Sequence, residues 1–224
     1  MIVLENVTKS YPVKYGRSHH VVLDRINLQI GRGEHWGILG RNGAGKSTMI
    51  RLISGAEIPD HGKVSRQMSV SWPLAFGDTF QSALTGRDNT RLICRVYGVD
   101  FDHAIDFVEE FAELGSYIRE PIANYSAGMS ARLAFAISMI VEFDCYLIDE
   151  VIAVGDYRFI QKCEQELFEK RGDRAMIIVS HNAETIKRYC RKIGVLHRGQ
   201  LRVFEDVDEG NAYYYSSTGS GEIS

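Results

Sequence analysis

Hydrophobic positions along the 224-residue chain fall into two kinds of pattern. Short, nearly continuous apolar runs occur at Trp36–Leu39, Cys145–Ile148 and Met176–Val179. Strands covered on both faces read this way, because neither face needs a polar side chain. Helical patterns lie between them. Met49, Ile50, Leu52 and Ile53 share one side of a helix that Gly55 can terminate. Residues 131–141 are apolar on almost every side, the mark of a helix buried all round. Alternating strands and helices predict an α/β core on a mostly parallel sheet.

Two regions break the alternation. Ile2–Val7 and Val21–Ile30 are β-rich runs separated by a polar loop, which predicts an antiparallel β edge. Residues 86–125 hold helical patterns with no clear strand, among them Phe107–Ala112, which predicts a small helical insertion. No internal repeat or low-complexity tract is visible. The expected organisation is one domain over 1–224, with a helical subdomain near 86–125 and a C-terminal helix and tail over 205–224. The acidic segment Glu205–Glu209 suits a helix start, where carboxylates favour the dipole.

Composition removes classes rather than adding any. Hydrophobic residues are 45% and charged residues 25%, an ordinary globular balance. A net charge of −3 advertises no basic face for nucleic acid. The most apolar stretch, Leu133–Val141, is nine residues, about half of the roughly 20 that a bilayer-crossing helix needs. Met1–Asn6 carries no basic segment leading into an apolar core, so no secretory signal is expected. Cys94, Cys145, Cys163 and Cys190 are widely spaced and read as reduced thiols. His19 and His20 lack a third ligand at zinc spacing.

The chemistry is concentrated in Gly40-Arg41-Asn42-Gly43-Ala44-Gly45-Lys46-Ser47, a phosphate-binding loop pattern without a mismatch, followed by Thr48. It follows the run ending at Leu39 and opens the helix ending near Gly55. Glycines there let backbone N–H groups turn toward phosphate oxygens, and the helix N-terminus adds its dipole. Lys46 can reach the β- and γ-phosphates, and the Ser47 hydroxyl can ligate Mg²⁺. Cys145–Glu150 supplies the second half: Asp149, ending a buried strand, can hold the Mg²⁺ hydration shell, and Glu150 can polarise the attacking water. An acidic pair after an apolar run usually only ends a strand. A phosphate loop in the same chain makes the pair specific.

Further motifs in the same order carry a resemblance. Tyr125-Ser126-Ala127-Gly128-Met129 stands before Asp149, Asp156 follows Glu150, and His181 lies in Val179-Ser180-His181-Asn182. Together they resemble ATP-binding cassette proteins, as the signature loop, the D-loop aspartate and the switch histidine. Ser71–Leu74, Phe80–Asn89, Phe107–Gly115 and Glu150–Asp156 are similar to the ATPase subunit of capsular polysaccharide exporters. Related O-antigen and teichoic-acid export ATPases share part of this. Against LSGGQ, the segment keeps Ser126 and Gly128 but lacks the first glycine and the glutamine. Gln81 is the glutamine near the Q-loop place, with an ordinary loop residue as the other reading. Tyr11 stands where the family offers an aromatic face to adenine, with Tyr15 as the alternative. Such stacking contributes about 0.5–1.5 kcal/mol. Tyr213–Tyr215 suit a helix packing on the core better than a sugar cradle.

The resemblance implies a P-loop NTPase of ABC type that hydrolyses ATP, with Mg²⁺, to drive capsular polysaccharide export. It assigns nucleotide contacts to Tyr11, Gly40, Arg41, Asn42, Gly43, Ala44, Gly45, Lys46, Ser47, Thr48, Gln81, Ser126, Gly128 and Asp156. Metal ligation falls to Ser47 and Asp149, and catalysis to Lys46, Glu150 and His181. The implied partners are a second copy of the chain, a membrane-spanning permease subunit bound through the helical insertion, periplasmic and outer-membrane export components, and a lipid-linked polysaccharide. The implied place is the cytoplasmic face of the inner membrane. A soluble ABC ATPase acting on DNA or ribosomes is the rival from another class, without the coiled-coil arms or second cassette usual there.

Overall fold

Residues 1–13, 18–74, 80–149 and 156–219 are described in the computed structural model of the chain, Thr218 and Gly219 by backbone alone. Two units form. The first comprises Met1–Pro73, Phe143–Val151 and Gly172–Ser224, the second Leu74–Glu142 and Ile152–Arg171.

In the first unit, β1 (Ile2–Pro12) pairs antiparallel with β2 (His19–Ile30) on one side and β4 (His61–Arg66) on the other. The expected antiparallel pair is therefore part of a separate three-stranded sheet. The main sheet has six strands in the order β5 (Val70–Leu74), β6 (Cys145–Asp149), β7 (Ala175–Ser180), β3 (His35–Leu39), β8 (Lys192–His197) and β9 (Gln200–Phe204). β6, β7, β3 and β8 run parallel, and β9 closes the edge antiparallel to β8. The three apolar runs are β3, β6 and β7, and every residue of β7 is buried.

Helix α1 (Lys46–Ser54) joins the two sheets energetically. Its Met49, Ile50, Leu52 and Ile53 share one core with Ile2, Leu4, Leu28 and Ile30 of the small sheet and Ile38, Leu147 and Ile177 of the large one. Each such side chain contributes about 1.5–3 kcal/mol on full burial. Gly55 ends the helix at φ +88°, and Arg66 of β4 donates to the carbonyls of Leu52 and Ile53 left open there. Helices α6 (Ala183–Tyr189) and α7 (Val207–Gly219) complete the unit, tied by a Lys187–Asp208 ion pair of 2.7 Å. Asp206 accepts from the amides of Asp208 and Glu209, so the acidic segment does start a helix. Tyr213 packs on Phe204 at 5.4 Å between centroids.

The second unit is helical: α2 (Gly86–Tyr97), α3 (Phe101–Ala112), α4 (Ala127–Met139) and α5 (Tyr157–Glu164), the last running into a wider turn at Gln165–Glu169. Phe111 lies 5.6 Å from both Phe135 and Phe159, binding α3, α4 and α5 into one aromatic core. Helix α4 is buried from Leu133 to Met139, as its all-round apolar pattern requires. Among the described residues, no helix is long and apolar enough to cross a membrane. The four cysteines are free and buried, and burial pushes Cys145, Cys163 and Cys190 up to about 12.

Asp144 anchors the start of β6, the strand that ends at Asp149. Its carboxylate accepts from the Ser69 amide at 3.0 Å and hydroxyl at 3.2 Å, and from Arg32. The Ser69 amide and then the Arg32 guanidinium hold this carboxyl below the usual carboxylate range. A depressed folded value means stabilisation present above the unfolded value of about 3.9 and lost as pH falls through the folded one. Asp144→Asn should therefore cost about 1 kcal/mol at pH 7. Urea denaturation should show that deficit shrinking below about pH 4; a deficit independent of pH would contradict the ionised anchor.

Candidate functional site

Three parallel strands of the six-stranded sheet end at the same level. Leu39 pairs with Ser180, Ile38 with Val179, and Val179 with Asp149, so β3, β7 and β6 end together. These are the carboxyl ends of parallel strands, where open α/β sheets bind ligands. The next residues are Gly40, His181 and Glu150. Glu150 lies outside the described residues, as does Tyr15.

The loop after β3 is held tightly. The Gly40 amide donates to the Ser180 carbonyl at 3.4 Å, and the Ala44 amide to the Arg41 carbonyl at 3.1 Å. Gly45, at φ +105°, is the residue before α1. A Cβ there would come within 2.9 Å of Val22 Cγ1 and 3.0 Å of the Val22 carbonyl oxygen. Gly43, at φ +80°, has open space around it. Lys46 is only 6% exposed, and its ammonium donates to the carbonyls of Gly40 at 2.8 Å and Arg41 at 3.2 Å. The cation is thus curled over its own loop. Ser47 is exposed and Thr48 buried in the first turn of α1. Arg41, Asn42, Gly43 and Ala44 border a cleft of about 480 Å³, with His20 and Tyr214 on its other walls.

Asp149 is half-buried at the end of β6. No group of three or more His, Cys, Asp or Glu side chains able to hold a metal exists among the described residues. Mg²⁺ needs none, since it binds through one or two carboxylates, water and substrate phosphates. One carboxylate and one exposed hydroxyl, Asp149 and Ser47, fit that donor set. His181 is exposed at the entrance to α6, between Ser180 and the cap Asn182, whose side chain accepts from the Glu184 amide at 2.8 Å. The Tyr214 hydroxyl donates to the His181 carbonyl at 3.5 Å. Tyr11, in β1, directs its hydroxyl to Glu57 at 2.6 Å.

The remaining expected residues belong to the second unit. The Gln81 backbone N–H donates to Asn89 Oδ1 at 3.0 Å, and Asn89 Nδ2 donates back to the Gln81 backbone carbonyl at 3.1 Å. Ser126 caps α4, its hydroxyl accepting from the Met129 amide at 3.2 Å. Gly128 sits in the first turn with only Ser126 Oγ near a built Cβ, at 4.0 Å. Asp156 caps α5 through the Phe159 amide at 2.9 Å and accepts from Arg132 at 2.8 Å. Sequence reasoning missed Asn89, Arg132, Arg51 and Glu57. Asn89 lies in the Phe80–Asn89 segment already singled out, but no motif gives its bonds to Gln81; the partners of Arg132, Arg51 and Glu57 lie on other turns or strands, with no motif spacing to connect them.

The profile of the ABC transporter family matches residues 23–153. The chain is 57% identical over 216 residues to the capsule polysaccharide export ATP-binding protein CtrD of Neisseria meningitidis serogroup B (strain ATCC BAA-335 / MC58), across 96% of this chain and 99% of that one. It is 56% identical over 214 residues to the ATP-binding protein BexA of Haemophilus influenzae, across 96% and 98%. A dimeric ATP-binding cassette in a post-hydrolysis state, bound to ADP and Pi, matches with a TM-score of 0.77 at 23% identity, across 91% of this chain and 98% of that one. That last likeness concerns the fold.

The two loop glycines should respond differently to alanine. Gly43→Ala meets only backbone strain, about 1 kcal/mol. Gly45→Ala adds a collision with β2, costing at least about 1 kcal/mol more. Urea denaturation of both variants checks this, and equal losses would contradict the packing of the loop on Val22.

Proposed function

Since the chain belongs to the ABC transporter family, we propose that it is the ATP-hydrolysing subunit of an exporter that moves capsular polysaccharide across the inner membrane. The observation that carries this is identity above one half, along nearly the whole chain, to a capsule polysaccharide export ATP-binding protein. The phosphate loop gives the reading its chemistry. The translocase energy comes from ATP, and the membrane path belongs to a separate permease bound by the helical subdomain near 86–125. We take the whole chain as one nucleotide-binding domain, held at the cytoplasmic face of the membrane by that permease. Periplasmic and outer-membrane components continue the route of a lipid-linked substrate.

The residues divide the work as follows. The amides of Gly40–Lys46 and the positive end of α1 accept the phosphates. Lys46, already desolvated against two carbonyls, extends to the β- and γ-phosphate oxygens as they arrive. Ser47 and Asp149 hold Mg²⁺, which neutralises phosphate charge when bound. Glu150 takes the proton of the attacking water, and His181 contacts the γ-phosphate side. Tyr11 faces the base, Thr48 supports the first turn, and Gln81 senses the site. Ser126 and Gly128 of a second copy complete it, with Asp156 at the join between copies.

Two measurements test this. Glu150→Gln should keep ATP affinity while turnover falls at least about a hundredfold, whereas Lys46→Ala should weaken binding itself; calorimetry and phosphate release separate the two. Specific activity of the purified chain should also fall on dilution, because a site built from two copies dissociates by mass action. Constant activity per chain down to nanomolar concentration would contradict the paired site.

A further inference from the structure

Tyr11, Thr48, Arg51 and Glu57 form one hydrogen-bonded cluster within the first unit. The Tyr11 hydroxyl donates to Glu57 Oε2 at 2.6 Å and accepts from Arg51 Nη2 at 3.1 Å. Arg51 Nε donates to Glu57 Oε1 at 2.7 Å, and Nη2 also reaches Thr48 Oγ1 at 3.3 Å. Tyr11 Oη and Thr48 Oγ1 stand 3.4 Å apart. Lys9 Nζ lies over the ring, 5.6 Å from its centroid, and is itself tied to the Ile58 carbonyl at 2.9 Å and Asp60 at 3.3 Å. The phenol is therefore gripped at its para oxygen by α1 and the turn after it, and carries a cation on one face.

The grip has a consequence for affinity. Stacking on an aromatic ring contributes only about two- to tenfold to binding. Ordering a free side chain at the moment of binding costs about as much. A ring that had to be captured by the ligand would add almost nothing; a ring already fixed delivers the whole factor. Resting on the reading of Tyr11 as the face for the nucleotide base, we infer that Glu57 and Arg51 are positioning residues: they clamp the Tyr11 hydroxyl, fix the plane of the ring, and lock the base platform to the helix that begins with Lys46 and Ser47. Base and phosphates are then read by one rigid body. Burial works to raise the Glu57 carboxyl, but the Tyr11 hydroxyl and Arg51 guanidinium outweigh it and hold it below its ordinary value. The acceptor side of the clamp is thus charged at neutral pH.

A purely structural brace between β1 and α1 would use the same bonds, and a ligand without a base separates the two roles. Calorimetry with Mg²⁺ compares ATP with inorganic tripolyphosphate on the full chain and on Tyr11→Phe, Glu57→Gln, the double variant and Tyr11→Ala. Tyr11→Phe and Glu57→Gln should each weaken ATP by about three- to fivefold. The double variant should lose less than the sum of the two, because both act on the Tyr11–Glu57 bond, which Glu57→Gln weakens by removing the charge and Tyr11→Phe removes. Tripolyphosphate should bind all of them within about twofold of the parent. Equal weakening of both ligands would make the cluster a brace and overturn the inference. Unchanged ATP affinity in Tyr11→Phe and Glu57→Gln, with ATP-selective loss in Tyr11→Ala, would overturn the clamp while keeping the platform. No ATP-selective loss in Tyr11→Ala would remove the platform, and the clamp with it.

Discussion

The first unit depends on the way nine residues of α1 meet two demands at once. One side must be apolar enough to fill the space between two sheets, and the first turn must stay open to an anion. These demands conflict along most helices, because an end buried in a core leaves its amides unpaired. Here Gly45 resolves it. Its positive φ swings the chain from the level of the strand ends into the helix axis, with Val22 packed where a side chain would be. Met49, Ile50, Leu52 and Ile53 then face the core one turn later. Lys46, between these zones, is buried yet aimed back at the carbonyls of Gly40 and Arg41. Those carbonyls accept from its ammonium and fold the side chain back over the loop that it follows.

How much of this was legible depends on how local each determinant is. β3, β6 and β7 could be read because burial on both faces leaves an apolar run, and α4 because its buried sides leave no polar stripe. β4 could not: His61-Gly62-Lys63-Val64-Ser65-Arg66 is largely exposed, and it is a strand because β1 offers it a partner edge. β5 and β9, no shorter than β3 or β6 but less buried, likewise owe their form to neighbours. Context overrode weak patterning there.

The site divides along the same line. The phosphate loop was legible because its backbone, its glycines and its lysine are contiguous. Ser126 and Asp156 were read for their motif places alone, and the structure adds that each also caps a helix by accepting an amide three residues on. The partners of Tyr11 were not legible. Arg51 and Glu57 flank a helix end far along the chain, and only the pairing of β1 with the strands around α1 brings them to the phenol. Asn89 is similar: a buried amide inside a helix reads as a poor helix former until its bonds to Gln81 are seen.

The buried thiols give the molecule a clock. Cys145 and Cys190 sit in the first unit, Cys94 and Cys163 in the second. Burial suppresses the thiolate that alkylating reagents attack, so each sulfur reacts only when the structure around it opens. A short pulse of reagent, followed by mass spectrometry of the modified peptides, would time the opening of the two units separately and without any introduced label. Nucleotide that stiffens one unit more than the other would appear as a change in the ratio of the two pairs.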